Sequence, residues 1–186
     1  MRISAGTAKG THIRRPGAGV RPTSDRVKEA LFNSLAPRLP EARVLDLFAG
    51  TGALGLEALS RGVAQAVFVE RDARAAAAIR RNLAAARLED RGQVRRGAVE
   101  TEVGALEREG VVFDLIVLDP PYGQDLPART LRRLAASPIL AADGLVAAEG
   151  HWRDDPGDVS GLTRIRAARY GETGLWFYTK EGGGDA

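Results

Sequence analysis

The stretch Asp46-Leu47-Phe48-Ala49-Gly50-Thr51-Gly52-Ala53-Leu54-Gly55 lies where an apolar strand, residues 44–48, turns into a helix, residues 53–61. Its three glycines allow the backbone to pass close to a ligand at the N-terminus of the helix. Glu70 follows Gly50 by 20 residues, at the end of the next predicted strand, where an acid accepts both ribose hydroxyls of a nucleoside. The pattern predicts an adenosine-type cofactor, and a tight structural turn is the alternative.

Outward from this turn, strands and helices alternate along the chain. Predicted strands cover residues 44–48, 66–70, 93–96, 113–118 and 144–149, with helices at 53–61, 72–88, 101–109 and 127–135. Near-continuous apolar strands separated by helices predict a Rossmann-like α/β fold whose mostly parallel sheet is covered on both faces. Near the C-terminus, residues 163–170 and 175–180 are strand-like and separated by residues 171–174, which predicts an antiparallel hairpin.

The charge beside the Gly-rich turn indicates which adenosine cofactor fits. A pyrophosphate prefers an open helix N-terminus with bare amides, whereas S-adenosylmethionine carries an ammonium and a sulfonium group that favour a nearby carboxylate. Asp46, four residues before Gly50 at the carboxyl end of the strand, supplies such a carboxylate. The alternative is that Asp46 caps the turn by accepting hydrogen bonds from local amides.

A second motif, Asp119-Pro120-Pro121-Tyr122, directly follows the buried strand 113–118, at the sheet edge where the Gly-rich turn is expected. The exocyclic amine of a nucleobase is a poor nucleophile because its lone pair is delocalised into the ring, so its N–H groups need two acceptors that orient the nitrogen. The Asp119 carboxylate and the Pro120 carbonyl are two such acceptors, and the two prolines fix the turn. Tyr122 offers a flat face for a flipped base. The motif therefore predicts transfer to an amine; the alternative is a Pro-rich surface turn.

The composition limits the class of protein. The chain has 186 residues, 27 Lys and Arg against 24 Asp and Glu, and 44% apolar residues, which is typical of one compact domain. It contains no cysteine, which excludes disulfides and thiolate metal sites and favours a reducing, cytoplasmic environment. With only two histidines, we expect no metal held by the protein. We also expect neither a membrane span nor a secretory signal, because no apolar stretch is long enough.

Charge is distributed unevenly along the chain. Residues 1–28 contain seven cations and one anion, so this segment carries +6 while the rest carries −3. The asymmetry predicts a basic arm that binds nucleic acid, although a high arginine content is also typical of GC-rich genomes. We expect a basic N-terminal extension at 1–22 that cannot fold alone, a main domain at 23–182 and a frayed tail at 183–186. The candidate phosphate contacts are Lys9, Arg14, Arg15 and Arg21.

Three segments together resemble the RsmD family of class I S-adenosylmethionine-dependent methyltransferases. They are residues 21–33 (RPTSDRVKEALFN), 46–62 (DLFAGTGALGLEALSRG) and 119–122 (DPPY). The resemblance covers nearly the whole chain, and the first segment is the most family-specific. It implies a class I methyltransferase fold with a seven-stranded, mostly parallel sheet. It also implies methyl transfer to the N2 amine of a guanine in 16S ribosomal RNA, with S-adenosylhomocysteine as the product of the cofactor.

Carried over by position, the resemblance also implies functional residues. The implied cofactor-binding residues are Thr23, Arg26, Asp46, Phe48, Gly50, Gly52, Glu70, Arg71, Ala98, Val99 and Asp119. The implied catalytic residues are Asp119, Pro120, Pro121 and Tyr122. Thr23 and Arg26 are expected to close over the cofactor, with Arg26 facing its carboxylate. Relatives often place Asn or Asp where this chain has Gly97, so either the backbone around Ala98 and Val99 holds the adenine or the strand register is shifted by one.

The implied partner is 16S ribosomal RNA within a 30S subunit or an assembly intermediate, and the protein is expected to be a cytoplasmic monomer that contacts no membrane. An adenine-N6 methyltransferase acting on DNA or RNA is the alternative, because Asp-Pro-Pro-Tyr serves that amine equally well. Protein glutamine methylation is disfavoured, since that branch usually carries Asn where Asp119 stands. An NAD-binding module is disfavoured by the lack of an acid/base residue after the sheet, and an idle RNA-binding protein by the completeness of the methyl-transfer motifs.

Overall fold

The computed structural model describes residues 1–15, 25–121 and 125–182. The predicted site residues Arg21, Thr23 and Tyr122 lie outside these ranges, as does the tail at 183–186. Within the described ranges, no helix combines the length and the apolar character needed to cross a membrane.

The architecture is a seven-stranded sheet with helices on both faces. The strands are β1 (Arg43–Leu47), β2 (Gln65–Glu70), β3 (Gly92–Arg96), β4 (Phe113–Leu118), β5 (Leu140–His151), β6 (Leu162–Tyr170) and β7 (Thr173–Lys180). The α-helices are α1 (Asp25–Leu35), α2 (Ala53–Ser60), α3 (Ala73–Ala86), α4 (Val99–Arg108) and α5 (Leu126–Ala135). The strand order is β3-β2-β1-β4-β5-β7-β6, in which β7 is antiparallel to both of its neighbours and the other pairings are parallel. The predicted Rossmann-like fold with a C-terminal hairpin is confirmed.

Two predicted boundaries were wrong at the C-terminal end. The strand expected at 144–149 extends over Leu140–His151: at its start Leu140 pairs with Phe113 ahead of a register irregularity, and at its end Gly150 and His151 pair with β7. The hairpin loop expected at 171–174 is only Gly171 and Glu172, since Tyr170 already pairs with Thr173. Gly171 has φ +62°, the left-handed conformation that a two-residue hairpin turn requires.

Each parallel strand contributes alternate side chains to the two faces of the sheet. On one face, Val44, Phe68 and Val117 pack with α1, α2 and α3. On the other face, Leu45, Val69 and Ile116 pack with α4 and α5. Because the strands are buried on both sides, they appear in the sequence as continuous apolar runs.

Residues 1–15 form a small antiparallel hairpin that packs onto the first of these faces. Arg2 pairs with His12, and Ile3 and Ile13 are buried in the same cluster as α1, α2 and α3. At the turn, Gly6 has φ +80°, and a Cβ there would lie 1.7 Å from the carbonyl oxygen of Ser60. The basic N-terminal segment is therefore held against α2 by close backbone contact.

A buried ionic cluster also holds this hairpin. The Glu57 carboxylate in α2 accepts hydrogen bonds from the Ser4 amide at 2.8 Å, the Ser4 hydroxyl at 2.7 Å and the Arg61 guanidinium at 2.8 Å. The buried Lys28 ammonium lies 3.2 Å from Glu57 and donates to the Arg2 carbonyl at 2.6 Å. Burial alone would raise the pKa of Glu57, but these donors and the Lys28 charge hold its pKa below the usual value. The hairpin, α1 and α2 are thus joined at one polar point.

Candidate cofactor and substrate site

The parallel strands bring the predicted motifs to one edge of the sheet. Leu47, at the end of β1, pairs with Val69 of β2 on one side and with Leu118 of β4 on the other. The Gly-rich turn, Glu70 and the Asp119 turn therefore lie at three adjacent strand ends. This carboxyl edge, where the strand order reverses, is the position at which open α/β sheets bind ligands.

The Gly-rich turn has a backbone that only some residues adopt readily. Gly50 and Gly52 have φ +55° and +77°, and Phe48 also lies in the left-handed region with φ +61°. Gly55 serves a different purpose, since a Cβ there would lie 2.2 Å from the Phe68 ring and would separate α2 from β2. The first two glycines shape the turn at the edge, and the third allows the helix to pack closely behind it.

Glu70 fixes the position of the turn. Its carboxylate accepts the Gly50 amide at 2.8 Å through Oε2 and the Asp72 amide at 2.8 Å through Oε1. The side chain is half-buried at the edge, and a carboxylate has about four lone-pair positions for hydrogen bonds. Glu70 can therefore hold the turn and accept ribose hydroxyls together.

Asp46 is a buried carboxylate in the floor of the site. Its Oδ2 accepts the Gly55 amide at 2.9 Å, which is the local hydrogen bond expected of a turn-capping aspartate. Burial is the main cause that raises the pKa of Asp46 to about 7. The Gly55 hydrogen bond lowers this pKa, and the negative charges of Asp119 and Glu70 raise it further. A cationic ligand beside Asp46 would relieve this electrostatic cost.

The residues present fit S-adenosylmethionine. The positive-φ glycines expose the backbone at the edge, and Glu70 offers acceptors for the ribose. Asp46, Asp119 and Glu70 lie close enough to raise the pKa of Asp46, so together they form a negative environment for an ammonium and a sulfonium group. A pyrophosphate would meet the same carboxylates unfavourably.

The Asp119 turn lies beside the Gly-rich turn, at the end of the neighbouring strand β4. Asp119 is half-buried, Pro120 is buried and Pro121 is exposed. Because Leu118 pairs with Ala148, the next residue of β5, Glu149, lies opposite Asp119 and is only 3% exposed. Glu149 was not among the site residues predicted from the sequence, although the strand predicted at 144–149 ends at it and that position was its signal.

The remaining predicted cofactor residues lie in two places. Arg71 and Ala98 are exposed beside the ends of β2 and β3, and Val99 is buried at the start of α4. The Gly97 amide donates to the Glu70 carbonyl at 3.1 Å, which joins the two strand ends. Arg26 is exposed in the first turn of α1, directly after the part of the chain that is not described.

The basic residues of the arm face solvent. Lys9, Arg14 and Arg15 are all exposed. The Arg14 backbone is bonded in both directions to the side chain of Asn82, at 2.9 and 3.0 Å, and the Asn82 amide also donates to the Thr51 carbonyl at 3.0 Å. Asn82 thus connects the arm to the Gly-rich turn. In the sequence, Asn82 is marked only as the single amide side chain in an Ala-rich helix.

An aromatic and cationic group at the end of β5 was also missed. Trp152 follows His151 at the carboxyl edge, with the Arg169 guanidinium 3.7 Å and that of Arg153 5.2 Å from its ring centroid. The Arg169 Nε donates to the Gly171 carbonyl at 2.8 Å, which fixes it over the ring. The pairing is invisible in the sequence because Trp152 and Arg169 meet only through the hairpin.

Comparisons with known proteins agree with this geometry. Residues 1–179 match a family described as conserved hypothetical protein 95. The protein YlbH of Bacillus subtilis (strain 168) is 38% identical over 185 residues, covering 98% of this chain and all of that protein. Ribosomal RNA small subunit methyltransferase D of Escherichia coli (strain K12) is 37% identical over 150 residues, covering 80% of this chain and 74% of that protein. Among solved structures, yhhF from Escherichia coli has a TM-score of 0.85 and 32% identity, covering 97% of each chain.

Proposed function

The chain belongs to the RsmD family, described as conserved hypothetical protein 95, and we propose that it methylates the N2 amine of a guanine in 16S ribosomal RNA with S-adenosylmethionine as donor. The observation that carries the proposal is the adjacency of the Gly-rich turn and the Asp119 turn on neighbouring strand ends. A site for a cationic adenosine cofactor there borders a site for an amine.

In this proposal the cofactor is held by the residues of the Gly-rich turn and its neighbours. Glu70 accepts the ribose hydroxyls, Asp46 faces the methionine end, and Gly50 and Gly52 let the backbone approach. The cofactor supplies an electrophilic methyl group on a positively charged sulfur. Arg26 and Thr23 are the residues proposed to close over the bound cofactor.

Asp119 and Pro120 act on the amine. The Asp119 carboxylate and the Pro120 carbonyl each accept one of its N–H groups, which turns the nitrogen lone pair towards the donor. As the nitrogen gains its fourth bond it becomes positively charged, and the negative charge of Asp119 stabilises that change. The amine becomes strongly acidic only then, so it loses one proton after the methyl group has transferred, through the Asp119 carboxylate to water, and Asp119 need not be a strong base.

The basic arm supplies RNA affinity. A single guanine offers little surface, and extracting it from its loop costs a few kcal/mol, which contacts to flanking phosphates must offset. Lys9, Arg14 and Arg15 are exposed, and the Arg14 backbone is joined through Asn82 to the Gly-rich turn, which supports this role. We further propose that the substrate is a 30S subunit or assembly intermediate and that the enzyme works as a cytoplasmic monomer.

The direct test is transfer of tritiated methyl groups to RNA and to 30S subunits from cells that lack the activity, followed by nucleoside analysis. We expect label in N2-methylguanosine with the wild-type protein and a large loss with Asp119→Ala. Label in N6-methyladenosine would establish the alternative reaction, and absence of label from both RNA and subunits would refute the proposal.

A further inference from the structure

We propose that Glu102, in the first turns of α4, recognises the adenine ring of the cofactor by accepting a hydrogen bond from its exocyclic amine. The inference rests on the proposed function only in requiring an adenosine cofactor at the carboxyl edge. It assigns to this site a specificity-determining residue that the motifs do not include.

The order of the strands determines where the adenine lies. With the ribose at Glu70 on β2 and the methyl group directed towards Asp119 after β4, the methionine end lies over β1. The base must then extend to the other side of β2, where β3 is the next strand. The hydrogen bond from the Gly97 amide to the Glu70 carbonyl at 3.1 Å places the end of β3 directly beside the ribose acid.

At this strand end, the Glu102 carboxylate occupies the space of a missing side chain. A Cβ built on Gly97 would lie 2.3 Å from Oε1 of Glu102 and 2.8 Å from its Cγ. A side chain at residue 97 would therefore compete with the Glu102 carboxylate for this space. The Glu102 side chain is 15% exposed, so its carboxylate is close to solvent at the edge and not sealed in the core.

Arg95 fixes the orientation of the Glu102 carboxylate. Its Oε2 is 2.7 Å from Nε of Arg95, and the same guanidinium donates two further hydrogen bonds of 2.7 Å to Glu109. Arg95 thus holds one carboxylate oxygen, and the other oxygen is directed over Gly97 towards the strand end. A carboxylate positioned in this way is a preorganised acceptor.

Adenine presents an amine donor beside a ring-nitrogen acceptor on one edge. Glu102 Oε1 matches the donor, and the first amides of α4, which have no partners within the helix, match the acceptor. A 6-oxopurine presents a carbonyl oxygen at the position of the amine and would be repelled by Glu102. The arrangement therefore selects adenine over hypoxanthine.

Calorimetry with two ligands tests this proposal without any need for turnover. The ligands are S-adenosylhomocysteine and S-inosylhomocysteine, which differ at the purine 6-position and in the proton that hypoxanthine carries on N1. We expect the wild-type protein to prefer the adenosine compound by about tenfold or more, the scale of a hydrogen bond to a charged group. Glu102→Ala should remove most of that preference. Glu109→Ala, which breaks the other half of the Arg95 pairing, should keep it.

A paired substitution gives a second readout. In Glu102→Ala the space over Gly97 is open, so adding Gly97→Asp places a new carboxylate there and should restore the preference. Equal loss of affinity for both ligands in Glu102→Ala, or an unchanged preference, would overturn the role of Glu102 while leaving the cofactor assignment intact. A wild-type protein that binds neither ligand would overturn the cofactor assignment itself, and this proposal with it.

Discussion

Replacing Asp46 by Asn should make the ligand-free protein more stable and should lower its affinity for the cofactor. The asparagine side chain has the same shape, and its carbonyl oxygen can still accept the Gly55 amide that Asp46 accepts at 2.9 Å. It carries no charge, so it avoids the cost of ionising a buried group next to Asp119 and Glu70. The two effects separate the structural and functional roles of this carboxylate.

The magnitude depends on the pKa of Asp46. Its pKa is about 7 in the folded protein and 3.8 in the reference state, so between these values the folded protein holds a proton that the unfolded chain has lost. Wild-type stability therefore falls relative to the variant by about 1.4 kcal/mol per pH unit in this window. The difference reaches about 4 kcal/mol above pH 7, and about 3 kcal/mol of it develops between pH 5 and pH 8.

Urea unfolding of the ligand-free proteins at pH 5 and pH 8 measures this change. The stabilising effect of Asp46→Asn should grow with pH by the amount given. Binding of S-adenosylhomocysteine should show the opposite trend: its ammonium favours ionised Asp46, so wild-type affinity falls below pH 7, by at most about tenfold per unit. An equal stability difference between the two proteins at both pH values, or a variant that is the less stable at pH 8, would refute this account of Asp46.

Other substitutions test the remaining parts of the site. Glu70→Ala should weaken S-adenosylhomocysteine binding by about 2 kcal/mol, or roughly 30-fold. A melting curve of the variant measures the stability lost with the two backbone hydrogen bonds of Glu70. Equal affinity of the two proteins in calorimetry would show that Glu70 does not bind the ribose. Asp119→Ala should lower turnover at saturating cofactor by about two to three orders of magnitude. Cofactor binding should be weakened but not lost, because Asp46 and Glu70 remain, and retention of more than half the turnover would contradict the role of Asp119. Changing Lys9, Arg14 and Arg15 to Ala should reduce the slope of log RNA affinity against log salt by about 2, at about 0.7 to 0.9 per contact, with cofactor affinity within about twofold. An unchanged slope in this arm variant would move the RNA site to the carboxyl-edge loops around Gln124 and His151. The matched control neutralises exposed arginines at the opposite edge of the sheet: Arg43→Ala, Arg87→Asn and Arg108→Ala.

The sheet and its edge could be predicted because local patterns determine them. Strands buried on both faces appear as apolar runs, and parallel strands bring their carboxyl ends to one edge, so Gly50, Glu70 and Asp119 were expected together. The start of β5 could not be predicted in the same way, because a register irregularity separates Leu140 from Leu145 and interrupts the apolar pattern. Glu149 is a different case: it ends the predicted strand 144–149, so its place at the edge followed from the same rule, but it belongs to none of the motifs.

Contacts between distant parts of the chain explain the other omissions. Glu102 is one acid among several on an amphipathic helix, and only its approach to Gly97 distinguishes it. The ring of Trp152 meets Arg169 because the β6–β7 hairpin folds back onto the end of β5. Such pairs have no fixed spacing, so a single sequence contains no signal for them.

The attachment of the arm to the body of the protein bears on the RNA-binding role proposed for it. Phosphate contacts on a loose arm would leave the guanine free to move, so binding there would do little to position the amine. Here Ile3 and Ile13 are buried. The Glu57 carboxylate binds Ser4 of the arm, Lys28 of α1 and Arg61 at the end of α2. Burying such charges costs free energy and adds little net stability, but removing one partner would leave the other uncompensated, so the cluster favours a single arrangement. In the proposed function, an arm held in one arrangement would transmit each phosphate contact to the sheet edge at which the amine binds.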